Sequence, residues 1–160
     1  MLSNHEGRRV PDVTFRVREN NEWKNVTTHD LFDGKTVAVF SLPGAFTPTC
    51  SSTHLPRFNE LAPAFFANGV DSIVCVAVND PFVMSAWGKE TGSPDVTMLA
   101  DGNGDFAKAL GLTMDGSGFG LGQRGQRFSM IVDDGKVAQL NVEAPGDFKV
   151  SSAEHMLGQL

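Results

Sequence analysis

Two short runs of β-branched and apolar residues constrain the fold of this chain more than any other feature. They are residues 36–42, with the sequence TVAVFSL, and residues 72–78, with the sequence SIVCVAV. Both are apolar at consecutive as well as alternate positions, which is typical of strands whose two faces are covered by helices. Between them, apolar residues recur at helical spacing up to Asn68-Gly69. The core is therefore predicted to begin with two parallel strands joined by a helical crossover.

The other segments predict a hairpin, a β extension and further helices. Asp133-Asp134-Gly135 separates two strand-like runs, residues 127–132 and 136–142, which is a strong hairpin signal. Residues 10–19 and 23–26 predict a pair of extended segments at the N-terminus, and residues 96–99 are a candidate for one more short strand. Further helices are predicted after the cap Thr28, after Asp80 with Pro81 in the first position, over residues 104–110, and from Ser151, where Glu154 completes a capping box.

This order of elements predicts an α/β fold of the thioredoxin arrangement, with a mixed four-stranded sheet covered by helices on both faces. The crossover helix is predicted to be kinked, because Pro56 and Pro63 lie inside it and each removes a backbone hydrogen bond. Gly120, Gly122 and Gly125 match GxGxxG, but they run into a strand instead of opening a helix. A dinucleotide site is therefore not predicted there.

Length and charge narrow the function classes. A chain of 160 residues suits one domain, spanning residues 1–160. Its net charge of -6 argues against nucleic acid or an anionic membrane as a partner, since both require a basic surface. Residues 1–10 lack the pattern of a secretion signal, and two cysteines without a CxxC motif do not form a secreted disulfide framework. A cytoplasmic protein is expected.

The segment after the first buried strand has the pattern of a helix start that ends in a cysteine. Thr47 is the predicted cap, Pro48 occupies the first helical position and Cys50 the third. Unpaired N–H groups and the positive end of the helix dipole favour the thiolate form of a cysteine placed there. Cys50 is therefore predicted to be a reactive thiol, although most buried cysteines are inert. The hydroxyl of Thr47 is expected to face the same pocket.

Three motifs together resemble the type II, peroxiredoxin-5-like peroxiredoxins. They are PGAFTPTCSSTHLP at residues 43–56, SIVCVAVNDPFVMSAWGK at residues 72–89 and RGQRFSMIVDDGKV at residues 124–137. The resemblance covers about residues 10–160 and implies a thioredoxin-like fold. It also implies a thiol peroxidase that reduces hydrogen peroxide and alkyl hydroperoxides, with Cys50 as the peroxidatic cysteine and with no metal or organic cofactor.

The resemblance assigns roles to four further residues. Arg127 matches the family's active-site arginine, whereas composition alone favours an arginine that points to solvent. Pro43 matches the proline that shields the cysteine, and Thr47 matches the hydroxyl that contacts peroxide. Gly44 is expected to let the backbone approach the substrate closely.

Three residues keep alternative interpretations. Cys75 could resolve Cys50, but its place inside a buried strand favours a core cysteine. His54 follows Cys50 by one helical turn and could indicate an acyl-transfer enzyme, although no residue is predicted to orient it. Trp87 could line the mouth of the site, an interface or the core.

The resemblance also suggests partners. Ser151 and Ser152 stand where some relatives carry a C-terminal resolving cysteine, so glutathione with glutaredoxin is expected as the reductant, or thioredoxin as the alternative. Some bacterial relatives carry a fused glutaredoxin module, and here a separate protein is expected. A homodimer is expected too, with weak support from apolar loop residues such as Phe46, Phe82, Phe119 and Leu121. The rival hypothesis is a redox sensor or chaperone-like protein in which oxidised Cys50 signals to a partner.

Overall fold

The computed structural model describes residues 6–160, which form nine strands and six α-helices. The strands are β1 (Thr14–Glu19), β2 (Glu22–Thr27), β3 (Thr36–Ser41), β4 (Ser72–Ala77), β5 (Thr97–Ala100), β6 (Thr113–Asp115), β7 (Gln123–Gly125), β8 (Phe128–Asp133) and β9 (Lys136–Val142). The helices are α1 (Thr28–Phe32), α2 (Leu55–Glu60), α3 (Ala62–Ala67), α4 (Pro81–Thr91), α5 (Asp105–Leu110) and α6 (Ala153–Leu157). A π-helical turn covers Cys50–His54, and a 3-10 turn covers Ser117–Phe119.

The central sheet has the strand order β5-β4-β3-β8-β9. Strand β4 runs parallel to β3 and to β5, whereas β8 is antiparallel to β3 and to β9. The mixed thioredoxin-like arrangement is confirmed, but the prediction of four strands was wrong by one. The fifth strand, β5, pairs through only four residues at the sheet edge. The strand itself was predicted over residues 96–99, but its pairing with β4 was not, because pairing depends on where two segments meet in the fold and not on local periodicity.

Two apolar layers cover the sheet, one on each face. One layer is built around Phe40, Phe58, Phe65 and Trp87, and the other around Phe15, Phe106 and Phe128. Alternation along β3 divides the strand between them, because Ala38 and Phe40 face the first layer while Val37 and Val39 face the second. None of the helices between residues 6 and 160 is long and apolar enough to cross a bilayer.

Most of the local signals fold as predicted. Asp80 caps α4 by accepting a 2.9 Å hydrogen bond from the Val83 N–H, and Asn20 and Asn21 form the β1–β2 turn with positive φ angles of 50° and 64°. The glycine-rich segment that ends at Gly125 forms the β6–β7 ladder and leads into β8. It therefore does not form the strand-to-helix turn of a dinucleotide site.

Two predicted helix caps were wrong by one residue. Thr27 caps α1 in place of Thr28, and Ser152 caps α6 in place of Ser151. The hydroxyl of Ser151 is directed away from the helix and donates to Glu143 Oε2 at 2.7 Å. Glu143 lies outside helix α6, so the local capping pattern could not reveal this hydrogen bond.

The crossover helix begins at residue 48 and is interrupted, as its prolines predict. The Leu55 N–H donates to the Cys50 carbonyl, which closes the π-helical turn immediately before Pro56. A second break follows at Leu61, whose φ and ψ of -90° and 2° separate α2 from α3, and Pro63 lies in the first turn of α3. Cys50 thus lies in the third helical position, as predicted, and at the start of the π-helical turn.

Candidate active site

The candidate site lies at the edge of the sheet where the chain leaves β3 and enters β8. These strands are antiparallel, and Ser41 near the end of β3 is paired with Phe128 at the start of β8. Residues that follow β3 therefore meet residues that precede β8 at the same edge. This pairing brings Cys50 and Arg127, which are 77 residues apart in the chain, into contact.

Cys50 is fully buried, and its sulfur accepts a hydrogen bond from Arg127. The distance from Arg127 Nη2 to Cys50 Sγ is 3.2 Å. A guanidinium keeps its positive charge throughout the physiological pH range, so it stabilises a thiolate without exchanging a proton with it. Cys50 also lies in the first turn of the helix, where the positive end of the helix dipole favours a negative charge. The Ser51 N–H closes this turn by donating to the Thr47 carbonyl at 3.0 Å.

His54 holds the other end of the guanidinium. Its Nδ1 lies 2.7 Å from Arg127 Nη1, and its Nε2 lies 2.9 Å from the Ser151 carbonyl oxygen. Since Arg127 can only donate, Nδ1 must accept and Nε2 must carry the hydrogen that the carbonyl accepts. Burial and, next, the charge of Arg127 lower the pKa of His54 to about 3, so the ring is neutral near neutral pH.

This geometry argues against the acyl-transfer interpretation of Cys50 and His54. A general base needs a ring nitrogen directed at the sulfur. Both ring nitrogens of His54 are occupied, one by Arg127 and the other by Ser151. His54 therefore orients Arg127 and does not deprotonate Cys50.

Three phenylalanines enclose the histidine and the arginine. The His54 ring lies 4.9 Å from the ring of Phe40, 5.6 Å from that of Phe58 and 4.9 Å from that of Phe148, measured between centroids. Phe148 also lies beneath Arg127, whose Cζ is 5.5 Å from the ring centroid. Such an apolar enclosure lowers the local dielectric, so the charge of Arg127 acts more strongly on the sulfur than it would in water.

The loop between β3 and the helix brings together Pro43, Gly44 and Thr47. The carbonyl of Pro43 accepts from Arg124 Nη1 at 3.4 Å, and a Cβ on Gly44 would lie only 2.9 Å from that nitrogen. The close approach at Gly44 is therefore to Arg124. Thr47 directly precedes the first helical residue, as predicted; its carbonyl accepts from the Ser51 N–H at 3.0 Å, and its hydroxyl donates to the Gly44 carbonyl at 2.7 Å.

Cys75 and Trp87 both lie in the core. Cys75 is fully buried in the middle of β4 opposite Phe40, and both cysteines are free thiols. Burial raises the pKa of the Cys75 thiol well above its usual value, and the nearby Cys50 raises it further. Trp87 is fully buried, and its indole Nε1 donates to the Ser51 hydroxyl at 2.9 Å. Trp87 therefore supports the first helical turn from below and does not line the mouth.

Sequence reasoning missed two residues of the site and undervalued a third. Arg124 donates to the carbonyls of Leu121 and Val78 at 2.9 and 3.2 Å and so fixes the loop beside Cys50. Glu143 holds the segment that carries Ser151. His54 was considered only as a base. None of these three residues has a local sequence signal. Their hydrogen-bond partners lie between three and 97 residues away in the chain, and most of these partners are on other elements.

Comparisons with known proteins place this geometry in a family. The redoxin family model matches residues 5–157. The hybrid peroxiredoxin hyPrx5 of Haemophilus influenzae is 52% identical over 162 residues, which cover 99% of this chain and 67% of that protein. Peroxiredoxin sll1621 of Synechocystis is 46% identical, over 95% of this chain and 89% of that protein.

Solved structures agree with the sequence comparisons. Reduced Prx3 of Vibrio vulnificus in complex with hydrogen peroxide matches with a TM-score of 0.94 and 47% identity, covering 98% of this chain and 99% of that one. The chain belongs to the peroxiredoxins, which are thiol peroxidases, and within them to the type II, peroxiredoxin-5-like subfamily.

Proposed function

We propose that this thiol peroxidase reduces hydrogen peroxide and alkyl hydroperoxides through a sulfenic acid on Cys50. The thiolate attacks the proximal peroxide oxygen, and an S–O bond forms as the O–O bond breaks. The sulfur supplies the electron pair, and the leaving alkoxide or hydroxide takes up a proton to give an alcohol or water. The observation that carries the proposal is the 3.2 Å hydrogen bond from Arg127 to the Cys50 sulfur, which places a permanent positive charge at the reacting atom.

The surrounding loop supplies the other groups that the reaction needs. The Thr47 hydroxyl already donates to the Gly44 carbonyl, so its lone pairs are left to accept the hydrogen of the peroxide O–H. Arg127 and the N–H groups of the first helical turn stabilise the charge that develops on the leaving oxygen. Pro43 and Gly44, which pack against Arg124, form the wall that shields the sulfur from water.

The second half of the cycle requires an external thiol. Attack of glutathione on the sulfenic acid forms a mixed disulfide and releases water, and a second thiol, from glutaredoxin, frees the Cys50 thiolate. Burial of Cys75 within β4 supports this route over an internal disulfide, because it raises the pKa of the Cys75 thiol well above its usual value and the attacking species must be a thiolate. Thioredoxin is the alternative reductant, and a reducing compartment such as the cytoplasm fits either one.

The peroxidase step is tested by replacing Cys50 and Arg127. We expect Cys50→Ser to abolish peroxide consumption, because a serine hydroxyl at this position stays protonated and is a poor nucleophile. Arg127→Ala should lower the second-order rate constant with hydrogen peroxide about 100-fold, the usual cost of one preorganised charged donor. Stopped-flow fluorescence measures both, and mass spectrometry after one equivalent of peroxide should show one added oxygen on Cys50. Slow wild-type turnover would favour a redox sensor instead.

The reductant is tested with Cys75→Ser. Turnover with glutathione plus glutaredoxin should stay close to the wild-type value if resolution occurs in trans, and a parallel assay with thioredoxin shows which system is preferred. Loss of turnover in a folded Cys75→Ser variant would make Cys75 the resolving cysteine. We propose in addition that the enzyme is a homodimer, on the ground of its exposed phenylalanines, one of which, Phe46, lies in the loop that leads to Cys50.

A further inference from the structure

A single buried carboxylate organises the segment that follows β9. Glu143 is only 5% exposed, and its Oε2 accepts hydrogen bonds from the backbone N–H groups of Lys149, Val150 and Ser151 at 2.7, 3.0 and 2.9 Å. The Ser151 hydroxyl donates to the same oxygen at 2.7 Å. Desolvation raises the pKa of Glu143, but the hydrogen bonds from Ser151 and the backbone outweigh it, and the pKa lies below its usual value. The group is therefore an ionised clamp that closes residues 143–151 into a loop.

The clamped loop leads directly to the catalytic arginine. Ser151 presents its carbonyl to His54 Nε2 at 2.9 Å, and His54 Nδ1 accepts from Arg127 Nη1 at 2.7 Å. Phe148, from the same loop, lies beneath the guanidinium. Glu143 is also the backbone neighbour of Arg127 across the β8–β9 hairpin, since the Glu143 N–H donates to the Arg127 carbonyl at 3.0 Å. One residue thus fixes both the backbone and, through Ser151 and His54, the side chain of Arg127.

We propose that Glu143 is a positioning residue for peroxide reduction: it holds the Ser151 carbonyl and Phe148 in place, and they hold His54 and Arg127 against the Cys50 sulfur. This inference rests on the proposed function of Arg127. An arginine side chain has many rotamers, and its contribution to a transition state depends on its being held in one of them before the reaction. Displacement of a charged donor by a fraction of an ångström is enough to lower the rate, even when the residue that moved it lies outside the pocket.

The test is a double-mutant cycle on the rate constant for oxidation by hydrogen peroxide. Glu143→Gln keeps the shape of the side chain but removes the charge that binds four donors, and we expect the rate constant to fall about tenfold. In an Arg127→Ala background the same substitution should change the rate by less than about twofold, because the group it positions is gone. A merely structural role predicts an equal loss in both backgrounds.

Ser152→Ala is the matched control. Ser152 lies at the end of the same loop and caps α6 by accepting from the His155 N–H at 3.1 Å. Its removal should lower the melting temperature while leaving the peroxide rate constant within about twofold of the wild-type value. If Glu143→Gln does not fold, Ser151→Ala replaces it in the cycle, because it removes the hydroxyl contact and keeps the backbone contacts; it should lower the rate constant about threefold.

The possible results distinguish a failure of this inference from a failure of the proposed function. A full rate in Glu143→Gln, together with a 100-fold loss in Arg127→Ala, overturns the positioning role and leaves the proposed function standing. A full rate in Arg127→Ala overturns the proposed role of that arginine and the inference with it. Equal effects of Glu143→Gln in both backgrounds also overturn the inference.

Discussion

The two terminal nitrogens of Arg127 bind two different side chains. Nη2 donates to the Cys50 sulfur and Nη1 to His54, and Phe148 covers the guanidinium face. A planar group held at two edges and one face has little freedom left to rotate. At the scale of single residues, the site is therefore a preorganised cation whose direction is set by a neutral histidine.

The neutrality of His54 makes a prediction about stability and pH. Burial lowers its pKa from 6.5 to about 3, so between these values the unfolded chain binds a proton that the folded chain does not. The stability that depends on neutral His54 is fully present above the unfolded pKa and is lost as the pH falls through this window. Between about pH 7 and pH 5 the loss should be about 2 kcal/mol.

Urea unfolding of the wild type and of His54→Gln measures this contribution. Glutamine keeps a donor for the Ser151 carbonyl but does not titrate, so the wild type should lose about 2 kcal/mol more than the variant over the same pH range. Ionisations that the two proteins share cancel in the difference. Parallel pH curves would show that folding does not lower the pKa of His54 and would contradict the prediction.

Among the secondary-structure elements, the helix that starts at residue 48 must hold Cys50 in place and must also open to expose its sulfur. Its first turn buries Cys50 completely, yet a reductant must reach that sulfur. The turn is attached to α4 by the hydrogen bond from Trp87 Nε1 to the Ser51 hydroxyl at 2.9 Å. The π-helical turn and Pro56 follow directly. Both interrupt the i to i-4 backbone hydrogen bonds of an α-helix on the C-terminal side of the first turn.

We predict that Ser51→Ala makes the first turn easier to open. The substitution leaves a buried indole N–H without its partner, which costs the closed form about 1 kcal/mol and raises the open fraction about fivefold. Alkylation of Cys50 by iodoacetamide should accelerate by that factor, because the reagent reacts with the open form. The control is Ser52→Ala, whose hydroxyl is exposed and lies 3.4 Å from that of Thr53. Equal alkylation rates in the two variants would contradict the prediction.

At the scale of the whole molecule, the most notable surface feature is the set of exposed phenylalanines. Phe119 is 86% exposed, Phe82 58% and Phe46 53%. Phe46 has a φ of +64°, an uncommon conformation for a bulky residue, which holds its ring outward beside the active-site loop. Apolar side chains held in this way are typical of surfaces that another protein covers.

We predict that the protein is a homodimer and that Phe119 lies in its interface. Sedimentation equilibrium of the wild type at micromolar concentrations should give the dimer mass, and Phe119→Ser should shift the equilibrium toward the monomer by about tenfold in dissociation constant. Phe66→Ser is the control, since Phe66 is also exposed but lies on α3. A monomer at every concentration of the wild type would rule the dimer out.

The features that depend on short-range pattern could be predicted from the sequence. The buried strands β3 and β4, the turns at Asn20-Asn21 and Asp134-Gly135, the cap of α4 and the third helical position of Cys50 all follow from residues within a few positions of one another. Each is governed by periodicity, by backbone conformation or by capping, and these act locally. The motif around Cys50 was specific enough to indicate the family as well.

The surroundings of Cys50, by contrast, depend on how the chain packs in three dimensions. The contacts of Arg127 with Cys50 and His54, and that of His54 with Ser151, join residues 73 to 97 positions apart. They exist because β3 pairs with β8 and because Glu143 draws residues 149–151 back toward the sheet. A long-range contact leaves no periodicity in the sequence, since it depends on where two segments meet once the core has packed.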